Sequence, residues 1–490
     1  MNILLVSPKN PDTFWSFNHV LKMAGKKSAF PPLGLLTVAG MLPSDWNLRL
    51  VDLNVRALAD ADLEWADAVF LSAMIVHEPS VREVIQVCKA HAKPLVAGGP
   101  LFTTGAERFD EIDCCVIGEA EDIIGNIVGD LERGTLQRRY EAAQRPDVTT
   151  TPLPRWDLID TDDYLMMSVQ CSRGCPFDCE FCDITAVYGR LPRVKTPEQM
   201  VAELDAVIDT GWIGPIFVVD DNFIGNRAKA KTLLRTIIDW RSRCGARNKF
   251  ITEASMNLVD DEELLRLMVD AGFNQVFIGI ESPEEASLRE CNKVQNTKRD
   301  LVESVRKIHQ AGLQVMAGFI VGFDADRADV FERQKRFIQE AGVVTAMVGL
   351  LTALPGTRLF TRLTSEGRIV GQSTGNNLDA VLNFEPTLDR TVLVDGYRHL
   401  VKDLYAPRQY YQRVRRFLED YRPSPASGRV SRSDIRAFLS SIWVVGIAHK
   451  GRREYWKLMA GSLIRSPRTF RQAAELAIRG HHFRLIAASL

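Results

Sequence analysis

Short apolar runs alternate with stretches of helical period along most of the chain. Residues 3–6, 48–51, 68–71, 94–97 and 114–117 are apolar runs of strand length. Between them, residues 33–42 and 80–92 carry helical patterns. This alternation predicts a flavodoxin-like parallel sheet of about five strands, with helices on both faces, over residues 1–134. Residues 135–163 contain Thr149-Thr150-Thr151-Pro152-Leu153-Pro154 and read as a linker. The alternation resumes over 164–370. Strands are predicted at 165–170, 215–219, 249–252, 275–280, 314–321 and 343–350, and helices near 197–210, 228–243, 260–271, 297–311 and 327–341. Six parallel strands with crossover helices predict an open (β/α)6 barrel. Residues 371–490 read as helical. The expected class is α/β with a helical C-terminal region.

Composition adds little to this picture, but the charge distribution does. The chain has 490 residues, 46% hydrophobic and 25% charged, enough for two or three domains with full cores. No apolar stretch reaches membrane-spanning length, and the N-terminus reads as a buried strand with no basic leader, so the expected location is cytoplasmic. A net charge of −1 hides an asymmetry: residues 395–490 hold 19 Lys and Arg against 7 Asp and Glu, a local net of +12. Aromatics are interleaved there with arginine, at Tyr405, Tyr410, Tyr411, Arg413, Arg415, Arg416, Phe417, Trp443, Trp456 and Phe470. Solvated helix faces account for such a pattern. The sharper alternative is a surface that grips anionic lipid headgroups, with peripheral contact at the inner membrane face. The tail carries no recognised RNA module, and no nucleic-acid partner is expected.

The densest chemistry lies in Gln170-Cys171-Ser172-Arg173-Gly174-Cys175-Pro176-Phe177-Asp178-Cys179-Glu180-Phe181-Cys182-Asp183. Three thiolates spaced by three and then two residues can hold three irons of a [4Fe-4S] cube and leave the fourth open to another ligand. A structural zinc site, the rival, normally pairs two cysteine-rich knuckles. Here Cys88, Cys114, Cys115, Cys244 and Cys291 stand singly or at the wrong spacing. Cys171, at a predicted strand end, reads as a packed thiol. The motif, with Phe181 before its last cysteine, resembles the radical S-adenosylmethionine (SAM) family, in which SAM chelates the open iron.

That resemblance assigns roles to the other strand ends. Asp220, Asp221 and Asn222 end the second barrel strand, where the family carries a segment binding the SAM amino group. The common Gly-Gly-Glu is missing there. Glu253 and Ser255 end the third strand. Glu281 ends the fourth, placed to accept from ribose hydroxyls. Gly318 and Gly322 bracket a stretch similar to the family's adenine-contact motif, and Pro355 follows the sixth strand. Helix caps and strand bulges are the competing readings of these residues.

Residues 1–134 resemble the cobalamin-binding domain that precedes many radical SAM enzymes. The likeness rests on Asp52 and Asn54, on Gly98 and Gly99, and on Gly118 and Glu119, which sit at strand ends in that order. The Asp-x-His-x-x-Gly motif of other cobalamin proteins is absent. Met74 and His77 follow the third strand and are the candidates nearest the cofactor. The runs 170–183, 219–226, 252–255 and 354–357 look like the subgroup that includes the hopanoid C-2 methylase.

The resemblance implies a C-methyltransferase. A deoxyadenosyl radical from SAM removes hydrogen from an unactivated carbon, which then takes a methyl group carried by cobalamin. The implied partners are a small-molecule or lipid substrate, isoprenoid in the favoured case, and an electron donor such as flavodoxin or ferredoxin. Two alternatives stand beside it. One is a related rearrangement, cyclisation or oxidation, which product mass would separate. The other is a non-catalytic iron–sulfur sensor, which SAM cleavage would exclude.

Overall fold

The computed structural model describes residues 1–423, 430–465 and 467–490. Its first sheet contains β1 (Asn2–Ser7), β2 (Asn47–Asp52), β3 (Ala68–Ser72), β4 (Leu95–Gly98), β5 (Cys114–Ile117) and β6 (Arg139–Glu141). The order is β2-β1-β3-β4-β5-β6, parallel throughout. Its helices are α2 (Leu33–Met41), α3 (Asp60–Trp65), α4 (Glu78–Ala90), α5 (Pro100–Thr103) and α6 (Ile124–Arg133), whereas α1 (Asn18–Ala24) packs into the core of the second sheet and the C-terminal helices. Side chains of alternate parity feed two cores. Leu4, Val6, Val69 and Leu71 meet α3 and α4 on one face, while Ile3, Leu5, Ala68 and Phe70 meet α2 and α6 on the other. Burial on both faces is why these strands read as unbroken apolar runs.

The expected linker is more structured than its composition suggests. Residues 139–141 form the sixth strand, with only Tyr140 buried, so they leave no apolar run to find.

The second sheet contains β7 (Met167–Val169), β10 (Ile216–Val218), β11 (Phe250–Ala254), β12 (Phe273–Glu281), β13 (Gln314–Val321) and β14 (Thr345–Leu350). Its order, β14-β13-β12-β11-β10-β7, is that of an open parallel barrel. A short antiparallel hairpin, β8 (Ser172–Arg173) and β9 (Arg193–Val194), flanks the cysteine loop. The helices are α7 (Ile184–Val187), α8 (Pro197–Asp209), α9 (Arg227–Cys244), α10 (Glu262–Asp270), α11 (Glu285–Glu290), α12 (Leu301–Ala311), α13 (Val330–Glu340) and α14 (Arg358–Ser365). Local chemistry fixes their ends. Thr196 and Gln199 cap α8 reciprocally with Pro197 in its first turn. Asp300 caps α12, which stops at Gly312 with φ +108°. Caps of this kind contribute about 1 kcal/mol each.

An open barrel has two exposed edges, and both are covered here. Beside β7, the Leu165 and Met166 amides donate to Ser28 and Ala29 carbonyls. At β14 the Tyr405 hydroxyl donates to the Ala346 carbonyl at 2.7 Å. Tyr405 belongs to the C-terminal helices, α15 (Arg390–Tyr405), α16 (Pro407–Asp420), α17 (Arg432–Val444), α18 (Arg452–Arg465) and α19 (Phe470–Ser489). Much of the predicted aromatic and arginine pattern is core. Tyr405, Tyr410, Tyr411 and Phe417 are buried, and Arg413 is fully buried, donating to Leu404 and Val344 carbonyls. Trp443 and Trp456 are exposed.

Candidate cofactor site between the two sheets

The cysteine loop sits at the C-terminal end of the barrel and is held from several sides. Gly174 has φ +95°, and a Cβ there would lie 2.8 Å from the Gly189 carbonyl, so the turn into the loop requires glycine. The Glu180 amide donates to the Cys291 carbonyl at 2.9 Å, and the Glu180 carboxylate pairs with Arg362 at 2.7 Å. Asp178 pairs with Arg358 at 2.9 Å.

Amides reach the thiols. Asn222 Nδ2 is 3.7 Å from Cys175 Sγ, and Gln295 Nε2 is 3.7 Å from Cys179 Sγ. Such donors suit thiolates of an anionic cluster. Among the described residues, no three His, Cys, Asp or Glu side chains converge on one point as ligands of a single ion. A cube takes each thiolate on a different iron and needs no such convergence. The residues therefore fit an iron–sulfur cube. Cys171 is buried at the base of this loop, its thiol pushed well up by burial.

The strand-end carboxylates divide into two groups. Asp220, expected at SAM, fastens the start of the cysteine loop. One oxygen accepts from the Cys171 amide at 2.8 Å and the other from the Ser172 hydroxyl at 2.6 Å. Each oxygen thus holds the base of the cysteine loop. Asp221 accepts from the Gly174 amide at 2.8 Å. Burial raises both carboxyls, to about 6 and about 7. Asn222 and Ser255 share a hydrogen bond at 3.2 Å. Glu253 is raised to about 8, first by burial and then by Asp221.

Glu281 sits on a bulge at the end of β12 with φ +64°. Its Oε1 accepts from Lys293 Nζ at 2.6 Å. Oε2 points toward Gly318, 3.9 Å from where a Cβ there would stand. That Cβ would also be 3.2 Å from Phe277 Cζ, so Gly318 keeps open a slot beside the carboxylate. Gly322 has φ +110° and abuts Leu393, which gives it a turn role. Phe181 packs 6.3 Å from Phe323, with the Lys293 ammonium 5.9 Å from its ring. Lys293 and Gln295 escaped the sequence reading because they lie between α11 and α12, away from any strand end or motif.

Below this layer the barrel is aromatic. Trp15 stacks on Phe217 with centroids 6.1 Å apart and meets Phe277 at 5.4 Å, while Phe30 lies 5.6 Å from Phe217.

The first sheet presents its own strand ends to the same region. Gly118, φ +82°, faces open space, with nothing within 4 Å of a Cβ built there. Gly99, φ +96°, is tightly enclosed, its Cβ position 2.8 Å from the Ala73 carbonyl. Gly98 packs against Val116. Met74 is 52% exposed.

Three expected cobalamin residues have partners within the protein. Asp52 is buried, accepting from the Asn54 amide at 2.9 Å and from the Tyr164 hydroxyl at 3.1 Å. Both His77 ring nitrogens are occupied: Nδ1 accepts from the Met74 amide and Nε2 bonds Asn10 Oδ1 at 2.7 Å. Glu119 is buried between Arg173 at 2.6 Å and Arg193 at 2.7 Å, which carries the loop after β5 onto the hairpin beside the cysteines. Pro355 begins a turn at the junction, where a Cβ on Gly356 would lie 3.6 Å from Ala186 and 4.0 Å from Thr104. The two sets of strand ends are thus fastened together.

Comparison with known proteins agrees with this arrangement. Residues 24–128 match the B12 binding domain, residues 169–334 the Radical SAM superfamily and residues 357–490 a domain of unknown function, DUF4070. The chain is 41% identical to an uncharacterized methyltransferase of Synechocystis, over 99% of this chain and 91% of that one. It is 34% identical to the hopanoid C-2 methylase of Rhodopseudomonas palustris, over 94% and 89%. Two solved structures share the fold. The cobalamin-dependent S-adenosylmethionine radical enzyme OxsB superposes with a TM-score of 0.65 at 15% identity, over 100% of this chain and 79% of that one. The radical SAM methyltransferase TsrM of Kitasatospora setae, with cobalamin and a [4Fe-4S] cluster bound, superposes with a TM-score of 0.57 at 15% identity, over 98% and 99%.

Proposed function

Because the chain belongs to the cobalamin-binding-domain radical SAM family, in the group that includes hopanoid C-2 methylase, we propose that it methylates an unactivated carbon of an apolar, polycyclic isoprenoid lipid. It is a radical SAM methyltransferase that works with a [4Fe-4S] cluster, SAM and cobalamin. When bound, these groups supply a radical able to take hydrogen from carbon and a methyl group to put in its place.

The protein's own residues position these partners. Cys175, Cys179 and Cys182 hold the cluster, with Asn222 and Gln295 donating to the sulfurs. Glu281 Oε2 receives the ribose hydroxyls in the slot kept by Gly318, while Lys293 fixes the other oxygen. Gly118 gives the corrin ring room to approach, and Arg173 with Glu119 sets the spacing between the two cofactor platforms. Asp220 and Asp221 hold the cysteine loop in place. Close positioning of reacting groups accounts for much of a catalytic rate, and the buttressing here serves that end.

The aromatic floor of Trp15, Phe30, Phe217 and Phe277 carries the substrate reading. Its four rings suit a hydrocarbon body, and Gln275 and Arg479 are the polar groups lining the same space. The likeness to the hopanoid methylase runs through nearly the whole chain, tail included, and supports the same reading. A low-potential donor such as flavodoxin or ferredoxin supplies the electrons, and the basic tail makes peripheral contact with the inner membrane face, where such a lipid resides.

Anaerobic reconstitution with iron, sulfide and cobalamin, followed by incubation with SAM, reductant and a hopanoid, tests the reading. The expected products are 5′-deoxyadenosine, S-adenosylhomocysteine and a lipid heavier by one CH₂. Deoxyadenosine with no cobalamin retained, or a lipid changed by any other mass, would overturn it.

A further inference from the structure

We propose that the consecutive helices α17 and α18, with the turn that joins them, are a docking surface for an anionic lipid bilayer. The proposal specifies the membrane contact suggested above, and it rests on the lipid-substrate reading for its purpose though not for its test.

Ile435, Leu439 and Trp443 recur every fourth residue along α17, and Ile447 follows in the turn. That spacing puts them on one ridge, while Ala437 and Ser441 face inward. All four ridge residues are exposed, Trp443 at 66%. On α18, Trp456, Leu463 and Ile464 are exposed as well, Ile464 at 80%, while Tyr455, Leu458 and Met459 fill the core. A soluble surface rarely gathers so many large apolar side chains on two consecutive helices. Tryptophan suits a bilayer interface, since its ring is apolar and its indole N–H is polar.

The charge around the ridge selects the occupant. Between residues 430 and 468 there are eight Lys and Arg against two acids, Asp434 and Glu454. Arg432, Arg436, Lys450, Arg452, Arg453 and Lys457 are exposed. A second copy docked on this face would set like charges against each other. Phosphate headgroups would pair with the arginines while the ridge enters the acyl boundary. Among the described residues no helix is long and apolar enough to cross a membrane, so α17 and α18 lie on the bilayer.

Ile435 and Leu439 also form the lip of a cavity of about 830 Å³, which reaches Phe17, Trp212 and Phe438 at the start of the barrel strands, away from the cysteine loop.

The test uses the full chain and vesicles that contain no polycyclic lipid. Flotation with vesicles of phosphatidylcholine and phosphatidylglycerol is expected to exceed flotation with phosphatidylcholine alone by about tenfold, and to fall with salt. The double variant Leu439→Glu/Trp443→Glu and the pair Arg452→Glu/Arg453→Glu should each lose about tenfold in binding. Leu191→Glu, an exposed position elsewhere, should lose none. Methylation of a detergent-solubilised hopanoid, measured in parallel, stays unchanged in the α17 and α18 variants and tests the chemical reading separately. A wild-type chain that does not float, equal binding by the Leu439→Glu/Trp443→Glu variant, or a dimer in light scattering that this variant dissolves would overturn the proposal.

Discussion

Arg173 Nη1 lies 2.6 Å from Glu119 Oε2, which joins the residue before the cysteine loop to the loop after β5. The same nitrogen is 2.7 Å from Glu121 Oε1, and Arg193 takes the other oxygen of Glu119. Both Arg173 and Glu119 are buried. Replacing one member of such a network strands a charge, at roughly 3 kcal/mol. Glu119→Gln should therefore lower the thermal midpoint and the cobalamin retained on desalting. Arg173→Met/Glu119→Met should cost less than the two single changes together, as coupled charges do. Additive losses in calorimetry would refute the pairing.

Gly318 is predicted to matter for SAM more than for folding. An alanine there meets Phe277 at 3.2 Å and narrows the slot beside Glu281. Gly318→Ala should weaken SAM binding at least tenfold, with a small change in melting temperature. Glu281→Gln removes a charge-assisted acceptor, worth about 1.5–3 kcal/mol, or roughly ten- to a hundredfold in affinity. Titration of SAM into reconstituted protein checks both, and unchanged affinity in both would remove the ribose role from Glu281.

The cysteines separate by position. Cys175→Ala, Cys179→Ala or Cys182→Ala should each abolish stoichiometric iron and sulfide, and with them deoxyadenosine formation. Cys171 is buried at the base of the loop, with only 3% exposure, so Cys171→Ala should keep the cluster and lose about 1 kcal/mol of packing. Iron and sulfide analysis decides the matter.

Both sheets were legible because buried parallel strands are apolar at consecutive positions, and because the barrel helices α8, α9, α10 and α12 start at side-chain caps. The strand of residues 139–141 was not, since one buried tyrosine makes no pattern. Motif spacing revealed the cysteine loop, because cluster ligands are local in sequence. The partners of that loop are not local: Lys293 reaches Glu281 from the connection before α12, and Glu119 reaches Arg173 across 54 residues. A carboxylate at a strand end, such as Asp220, has the same sequence signature whether it binds a cofactor or fastens a loop. The exposed ridge on α17 was hidden for a related reason: a helix with apolar residues on both faces does not say which face is buried.

Two glycines of the first sheet should behave differently. Gly99→Ala would drive a Cβ to 2.8 Å from the Ala73 carbonyl at φ +96°, so it should destabilise the fold by more than the ~1–2 kcal/mol of the left-handed conformation alone. Gly118→Ala meets no atom and should cost no more than that conformational term. If corrin approaches Gly118, the same substitution should still reduce cobalamin retention. Full retention in Gly118→Ala would move the corrin ring away from this loop.

His309 predicts how stability depends on pH. It is fully buried in α12, its ring 4.8 Å from Phe417 of α16 in an edge-on contact, and neither ring nitrogen has a hydrogen-bond partner among the described residues. Burial, helped by Arg416, pushes the imidazole down to about 3. An unfolded chain protonates the same ring near 6.5. Between those values the unfolded state binds a proton that the native state refuses, so stability falls as pH falls from about 6.5 toward about 3 and is insensitive to this group above that window. At pH 5 the loss from this residue alone is about 2 kcal/mol. His481 and His482, each lowered to about 4, mainly by burial, titrate in the same direction. His309→Leu should be at least as stable as wild type at pH 7.5 and should lose about 2 kcal/mol less on transfer to pH 5. Chemical denaturation at the two pH values measures this, and equal losses in the two chains would show that His309 does not set the acid limit of the fold.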